Sequence, residues 1–416
     1  MHIVSPATRP RSLSDYDRER AEEHRLLRIE EMRAEVERRD AGLFKAHPRM
    51  CPDCGGRLLS KGLSEPVSFV CLAGGFEVRI HRLRCAACGQ TTYPIDAEVD
   101  RATRVLPSAA EHLVRLVLSA GSYERAAEEA AFHLGIRTCS STLHRLVATE
   151  ASQVSDSLAG EAERMLATGE CPHERVALAG GDLYMAIDGG HVAARAKGSF
   201  EIKAAVAWSG VREVSTGRFE LTGREGYAAL EPASAFFPKV AALAIRSGAL
   251  TASRTVVLAD GADWIRNGVR DWMPGALYVL DWTHLERRVR EVLCRAEDEG
   301  VLRSVLAALR RADPHAALSV LRAWTPPHDD RRLYRRLLRY IRVNAQGIAN
   351  HALVDVHGSG AIEKAVDLIV SRRYKLRGMS WSEKGAAALL PFLVMRYNKT
   401  WKSHWDVRAR SLPDAA

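Results

Sequence analysis

Aromatic side chains are scarce in this chain, at 6% of 416 residues, and no apolar run approaches the roughly 18 residues that a membrane-spanning helix needs. The first residues, Met1-His2-Ile3-Val4-Ser5, lack the apolar core of a secretory leader. Neither an internal repeat nor a low-complexity linker interrupts the chain. Its eight cysteines are spaced too unevenly for a disulfide framework, and four of them stand in two C-x-x-C pairs that suit a metal site in a reducing compartment. These absences predict a cytoplasmic protein with no membrane partner.

What is present is an ordinary globular composition, 47% hydrophobic and 27% charged, long enough for one large core and one or two smaller modules. The net charge of +9 comes mostly from arginine, whose planar fork matches phosphate oxygens. A polyanionic partner is therefore favoured, with nucleic acid first among them.

Residues 1–45 form a charged arm, with a helix expected over Tyr16–Arg39 carrying opposite charges one turn apart. It reads either as a solvated or coiled-coil arm or as a basic arm that touches DNA. Residues 46–100 read as a zinc-ribbon-like module. Cys51 and Cys54, then Cys85 and Cys88, flank a stretch in which Phe76, Val78 and Ile80 alternate with charged residues. Alternation of period two predicts a strand, so the two knuckles sit on turns joined by a small sheet, and four thiolates would close a structural zinc site. A metal-free pair of turns is the alternative. Cys71, Cys139, Cys171 and Cys294 read as buried apolar fillers.

Over 101–160, helices are expected at 107–119, 122–134 and 141–155. The second and third, joined by a turn at Gly135, make a helix-turn-helix pattern that would carry Thr142, His144 and Arg145 toward a major groove. Helical bundles that never meet DNA carry the same pattern.

From Asp182 the period changes. Leu183–Asp188, Phe200–Trp208 and Arg218–Thr222 read as three antiparallel strands; a helix at Ala233–Ser247, a strand at Val256–Asp260, a helix from Trp264 and a strand at Ala276–Asp281 follow. That is the element order of a ribonuclease H-like fold, an α+β or α/β mixed sheet, with residues 180–284 as its first part. Two apolar strands ending in Asp-Gly, at Asp188 and Asp260, would hold two acids together. Two carboxylates about 4 Å apart repel by roughly 4 kcal/mol at an effective dielectric near 20, and a hard divalent cation, magnesium or manganese, relieves this. A pair of such ions can activate a water or hydroxyl for in-line attack on a phosphodiester. Turn-closing Asp-Gly pairs remain the plain alternative.

Residues 285–350 read as an all-helical insertion with 14 arginines between 285 and 344, either lining a DNA channel or simply solvated. Its apolar stripes are Leu302, Val305, Leu306 and Leu309, then Tyr334, Leu337, Leu338 and Ile341. Val356–Gly360 would end the insertion and start a helix in the last segment, 351–416. Glu363 is the favoured third acid, with Asp367 and Asp355 as rivals. Asp281 could be a further metal-proximal acid, and His284 could contact a phosphate or cap the next helix. A helix over Trp381–Met395 and a basic, aromatic tail over Tyr397–Trp405 complete the chain.

In order along the chain, the cysteine knuckles, Asp188-Gly189, Asp260-Gly261-Ala262-Asp263-Trp264-Ile265, Leu280-Asp281-Trp282-Thr283-His284, Gly360-Ala361-Ile362-Glu363, Arg372 through Ser382 and Gly385-Ala386 resemble DDE transposases of bacterial insertion sequences. The resemblance is nearest to the ISKra and ISLre groups, related to the Mutator type. It implies a ribonuclease H-like catalytic core with Asp188, Asp260 and Glu363 as the acid triad on magnesium or manganese, and a D-x-x-H motif at Asp281 and His284. Cutting of element ends and strand transfer into target DNA are the implied activity. Arg372, Arg373 and Lys375, with the helix-turn-helix residues, would bind DNA, and joining two ends requires at least a dimer on DNA. The alternative is a domesticated transposase or a DNA-binding regulator with an inactive core.

Overall fold

The computed structural model describes residues 12–171, 181–196, 198–294, 298–327, 330–355 and 360–410. They divide into two compact units, one of residues 12–149 with 402–410, the other of the described residues from 150 to 401. Among the described residues no helix is long and apolar enough to cross a membrane.

In the first unit, helix α1 (Leu13–Ala46) starts from a capping box in which Ser12 and Asp15 satisfy each other's backbone N–H groups. Glutamates pair with Arg20, Arg25, Arg33 and Arg38 one turn away. The helix is longer than expected, and its second half is no free arm. Ile29 and Val36 are buried in one core with Phe69, Phe76, Val78 and Ile80. Asp40 is buried too, where its carboxylate accepts from the His81 backbone N–H at 2.9 Å and meets the His81 ring at 2.6 Å. Strands β1 (Leu58–Leu63), β2 (Val67–Cys71), β3 (Gly74–Val78), β4 (His81–Cys85) and β5 (Thr91–Thr92) form a three-stranded sheet, β1-β4-β5, and a separate β2-β3 hairpin. Helices α2 (Pro107–Ser119), α3 (Tyr123–Leu134) and α4 (Ser140–Thr168) follow, α3 ending on Gly135 in the left-handed conformation.

The second unit is built on a five-stranded sheet. Its strands are β6 (Asp182–Ala193), β7 (Ser199–Trp208), β10 (Glu225–Ala229), β11 (Arg254–Ala259) and β12 (Leu277–Leu280), in the order β10-β7-β6-β11-β12. β7 is antiparallel to β6 and β10, whereas β6, β11 and β12 are parallel. Two expectations need correction. Arg218–Thr222 is β9, paired with β8 (Gly210–Ser215) in a ribbon of its own, and the third strand of the main sheet is β10. Asp188 does not end its strand, because β6 pairs with β7 as far as Ala193. A turn expected at Lys197-Gly198-Ser199, between the first two of these strands, lies partly outside the described residues.

One face of this sheet, with Leu183, Met185, Ile187, Ala205 and Val257, is covered by α5 (Ala233–Arg246) and α6 (Asp263–Trp272), through Phe236, Phe237, Leu243, Ile265 and Val269. After β12 come α7 (Trp282–Leu293), α8 (Glu299–Arg310), α9 (Pro314–Ala323), α10 (Arg331–Val343) and α11 (Ala345–Ala349). They share a core of Leu302, Val305, Leu309, Leu337 and Ile341, in which both apolar stripes meet. Then follow α12 (Gly360–Val366), a π-helical turn, α13 (Arg372–Tyr374), α14 (Glu383–Ala387) and α15 (Leu390–Asn398), and last α16 (Trp401–Arg410), which from Lys402 is counted with the first unit. The single helix expected over Trp381–Met395 is thus two, and the tail is helical. The segment Val356–Ser359 lies outside the described residues.

Edge strands expose unpaired backbone groups, and both edges here are capped by asparagines. Asn398 accepts from the Gly226 N–H at 2.7 Å and donates to its carbonyl at 2.9 Å on β10, while Asn350 donates to the Tyr278 carbonyl at 2.7 Å on β12. Asn398→Ala leaves two β10 groups without these partners and is expected to cost about 1–3 kcal/mol. A double variant with Asn350→Ala should add nearly independently. Chemical denaturation of the wild type, the two single variants and the double variant tests both statements.

Candidate functional site

The cysteine cluster is local in origin. Cys51 and Cys54 sit on a turn closed by the Cys51 N–H on the Gly56 carbonyl at 2.8 Å and the Gly55 N–H on the Cys51 carbonyl at 2.9 Å. Cys85 ends β4, and the turn after it brings the Cys88 N–H within 3.5 Å of the Cys85 sulfur. Because β1 pairs with β4, the two turns meet. Sγ–Sγ distances are 3.7 Å for Cys51–Cys88 and 3.5 Å for Cys54–Cys85, and all four sulfurs lie within 4.8 Å of one another. Zinc bound at about 2.3 Å to four thiolates holds them roughly 3.8 Å apart, so the donor set fits that ion. The Cys88 backbone N–H, with Ala87 and neighbouring thiols, lowers the pKa of the Cys85 thiol, while hydrogen bonds with neighbouring thiols raise those of Cys54 and Cys88. Of the four remaining cysteines only Cys71 is a buried filler; Cys139 and Cys294 are exposed and Cys171 is half-buried.

The acids lie at one end of the parallel strands. The β6–β11 ladder ends at Ile187 opposite Ala259, one residue short of Asp188 and Asp260, which therefore stand at the same level on neighbouring strands. Both are half-buried. Burial raises the Asp188 carboxyl above its ordinary range, the charges of Asp260 and Glu201 add to this, and the Gly189 N–H, which donates to Asp188 Oδ1 at 2.7 Å, and His284 oppose it. Asp260 Oδ1 accepts from the Ala262 N–H at 2.8 Å. Gly261, at φ 87°, has Tyr340, Asn344 and Leu280 within 2.9 Å of where a Cβ would stand, and the Tyr340 hydroxyl donates to the Asp260 carbonyl at 2.7 Å.

Gly189 and Gly190 do not make a turn. They thin β6 on its two faces. The Glu201 carboxylate occupies the space of a Gly189 side chain, and Val366 and Val370 press on Gly190. Glu201 is in turn held by Lys203 at 3.5 Å, whose ammonium sits over the Trp264 ring. Sequence reasoning missed this pair. Its signal was two charged residues spaced by two on the sheet face that Ala205 and Ala207 continue as core.

Asp281 is held by its own helix and by His284. It is fully buried, caps α7 by accepting from the Thr283 and His284 N–H groups at 3.3 and 3.2 Å, and grips His284 Nδ1. That hydrogen bond raises the His284 pKa, against burial. Glu363 is exposed on α12, a helix that packs on β6 and β7. Among the described residues the cysteines are the one group of three or more such donors within 4.8 Å, so the three acids are not drawn to that spacing. Asp367 pairs with Lys364 and Arg372 at 3.3 and 3.1 Å, and Asp355 is exposed.

The expected DNA-contacting residues divide. Arg145 and His144 are exposed on α4, the His144 ring stacked on Tyr123 at 3.5 Å, while Thr142 is half-buried beside Cys139. Arg372 and Lys375 are exposed. Arg373 is a correction, because it is buried with its guanidinium 4.8 Å over the Trp381 ring and is not presented to solvent.

Residues 86–409 match the model of the uncharacterised protein family UPF0236. The chain belongs to that family. The UPF0236 match takes in Asp188, Asp260, Asp281, His284 and Glu363, yet of the four clustered cysteines it includes only Cys88. No curated protein matches the chain.

Two measurements test this geometry. The purified protein is expected to carry one zinc per chain by elemental analysis, and Cys54→Ser should release it and unfold the β1-β4-β5 module, since structural zinc contributes on the order of 10 kcal/mol. His284, held protonated by Asp281, contributes stability that is complete below pH about 6.5 and is lost as pH rises through its higher folded pKa. In Asp281→Asn the ring should titrate at lower pH, read from its proton resonances by NMR.

Proposed function

We propose that this chain is a DNA transposase of the DDE type, cleaving element ends and transferring them to target DNA with divalent metal. The observation that carries the reading is the register of β6 and β11, which sets Asp188 and Asp260 side by side at the end of a parallel ladder. Support also comes from the strand order β10-β7-β6-β11-β12, the order of a ribonuclease H-like sheet numbered 3-2-1-4-5, and from a helical insertion between its fifth strand and the helix of Glu363.

Burial is the main cause that raises the Asp188 pKa, with the Asp260 charge adding to it; a hard cation would relieve both, and carboxylate oxygens suit magnesium or manganese. Asp188 and Asp260 would hold it, with Glu363 entering from α12. When bound, such ions supply an activated oxygen nucleophile and stabilise the leaving oxygen of the phosphodiester. Asp281 keeps His284 oriented and protonated near Asp188, where an imidazolium can meet a phosphate oxygen. Lys203 restrains Glu201 beside the first acid. The zinc-ribbon-like module and the α2–α4 helices would recognise the element ends. Two ends must be joined in one event, so the working form is at least a dimer on DNA, in the cytoplasm.

A second reading, a DNA-binding regulator with an inactive core, rests on Glu363, whose carboxylate is exposed and does not close a group of three donors with Asp188 and Asp260. Single Asp188→Ala, Asp260→Ala and Glu363→Ala variants decide between them. On a duplex carrying the flanking repeats, each should lose cleavage by roughly 10²-fold or more, the scale for removing one preorganised charge-stabilising group, with end binding retained. A variant that still cuts removes that residue from the triad; a wild-type protein that binds the ends and cuts nothing leaves the regulator.

A further inference from the structure

Two exposed helices of this chain are rich in arginine, and they treat it differently. On α1, glutamates one turn away pair with Arg20, Arg25, Arg33 and Arg38. Helix α10 reads Arg-Arg-Leu-Tyr-Arg-Arg-Leu-Leu-Arg-Tyr-Ile-Arg-Val and contains no acid. Its Leu337 and Ile341 are buried in the insertion core, while Arg331, Arg332, Arg335, Arg336, Arg339 and Arg342 are all exposed. Among the described residues no carboxylate lies within 4.0 Å of any of these six guanidinium groups. A one-sided row of cations gains little from water alone and repels itself, so it is arranged for an external polyanion. The row runs about 16 Å, at 1.5 Å per residue, a distance over which one strand of duplex DNA carries about five phosphates.

The inner face of the same helix reaches the second acid. Tyr340 donates to the Asp260 carbonyl at 2.7 Å, and Asn344, one turn on, fills the space beside Gly261. The Arg288 guanidinium lies 4.7 Å over the Tyr340 ring, closing that contact from α7. Arg339 and Tyr340 are adjacent in sequence, so the outer and inner contacts belong to one helical turn.

We propose that the arginine face of α10 takes the phosphate backbone of duplex DNA, and that its inner face passes that contact to the Asp260–Gly261 turn. The choice of DNA among polyanions rests on the transposase reading; the arginine row itself does not. Contact with phosphates is independent of base sequence, and holding α10 in place holds the turn that carries Asp260.

The test uses the full chain and a fluorescent 30-base-pair duplex of arbitrary sequence, in buffer without added divalent metal, with affinity measured by anisotropy from 50 to 200 mM KCl. In a variant with Arg332, Arg335, Arg336 and Arg339 changed to Gln, the slope of log affinity against log salt should fall by about 0.9 for each phosphate no longer neutralised, a change of about two to four. A control with Arg18, Arg20, Arg28 and Arg38 of α1 changed to Gln removes the same charge and should keep most of the wild-type slope. Hydrogen exchange at residues 259–263 should slow on DNA binding in the wild type and much less in Tyr340→Phe, whose salt slope stays unchanged. An equal fall of slope in the two arginine variants, or no fall in the α10 variant, overturns the proposal. So does α10-dependent binding to phosphatidylserine vesicles or duplex RNA without binding to DNA, and so does unchanged hydrogen exchange in the wild type. An intact α10-dependent slope in a protein that never cuts DNA upholds this proposal while the transposase reading fails; cleavage with a slope indifferent to α10 does the reverse.

Discussion

Six parallel backbone pairings between β6 and β11, from Asp182 opposite Arg254 to Ile187 opposite Ala259, are the constraint on which the second unit depends. A parallel pair needs a crossover, and here α5 provides it while burying Phe236 and Phe237 on the sheet. The ladder stops where two aspartates follow, so the pairing that stabilises the core also brings like charges level with each other. Burial at this end of the sheet raises the Asp188 pKa, and the Asp260 charge adds to it.

The surrounding elements restrain this end of the sheet. Asp281 is used up in capping α7 and orienting His284, which places an opposing positive charge near Asp188. Tyr340 and Asn344 hold the Asp260–Gly261 turn from within the helical insertion, about 80 residues away in sequence. On the other side, Glu201 and Lys203 fill the groove above Gly189. The insertion is therefore part of the wall of the candidate site. A charged outer face on α10 and a tyrosine on its inner face give it two roles in one element.

Much of the architecture was legible because it is local. Helical spacing located α2, α3 and the buried stripe of α8 to within a few residues, and two C-x-x-C turns on either side of alternating strand residues predicted the sulfur cluster. The misreadings concern partner choice. Arg218–Thr222 has the alternation of a sheet strand, but it follows a tight turn after Gly210–Ser215 and pairs with that neighbour, leaving Glu225–Ala229 to join β7. Arg373 looked like part of a basic patch, yet the ring of Trp381, eight residues on, draws it inward.

By itself the sequence determined most of the helices, the strands β6, β7, β11 and β12, the four clustered cysteines, and the presence of acids after apolar strands, since periodicity and short spacings act within a few residues. Only the tertiary structure decided what Asp188-Gly189-Gly190 is for. A strand ending at Asp188, with a turn as the plain alternative, was the expectation for this stretch; its glycines are strand residues made thin so that Glu201 can lie on one face and Val366 on the other. That requirement comes from side chains 12 and 176 residues away, and no local pattern encodes a contact between surfaces that meet only after the sheet has formed.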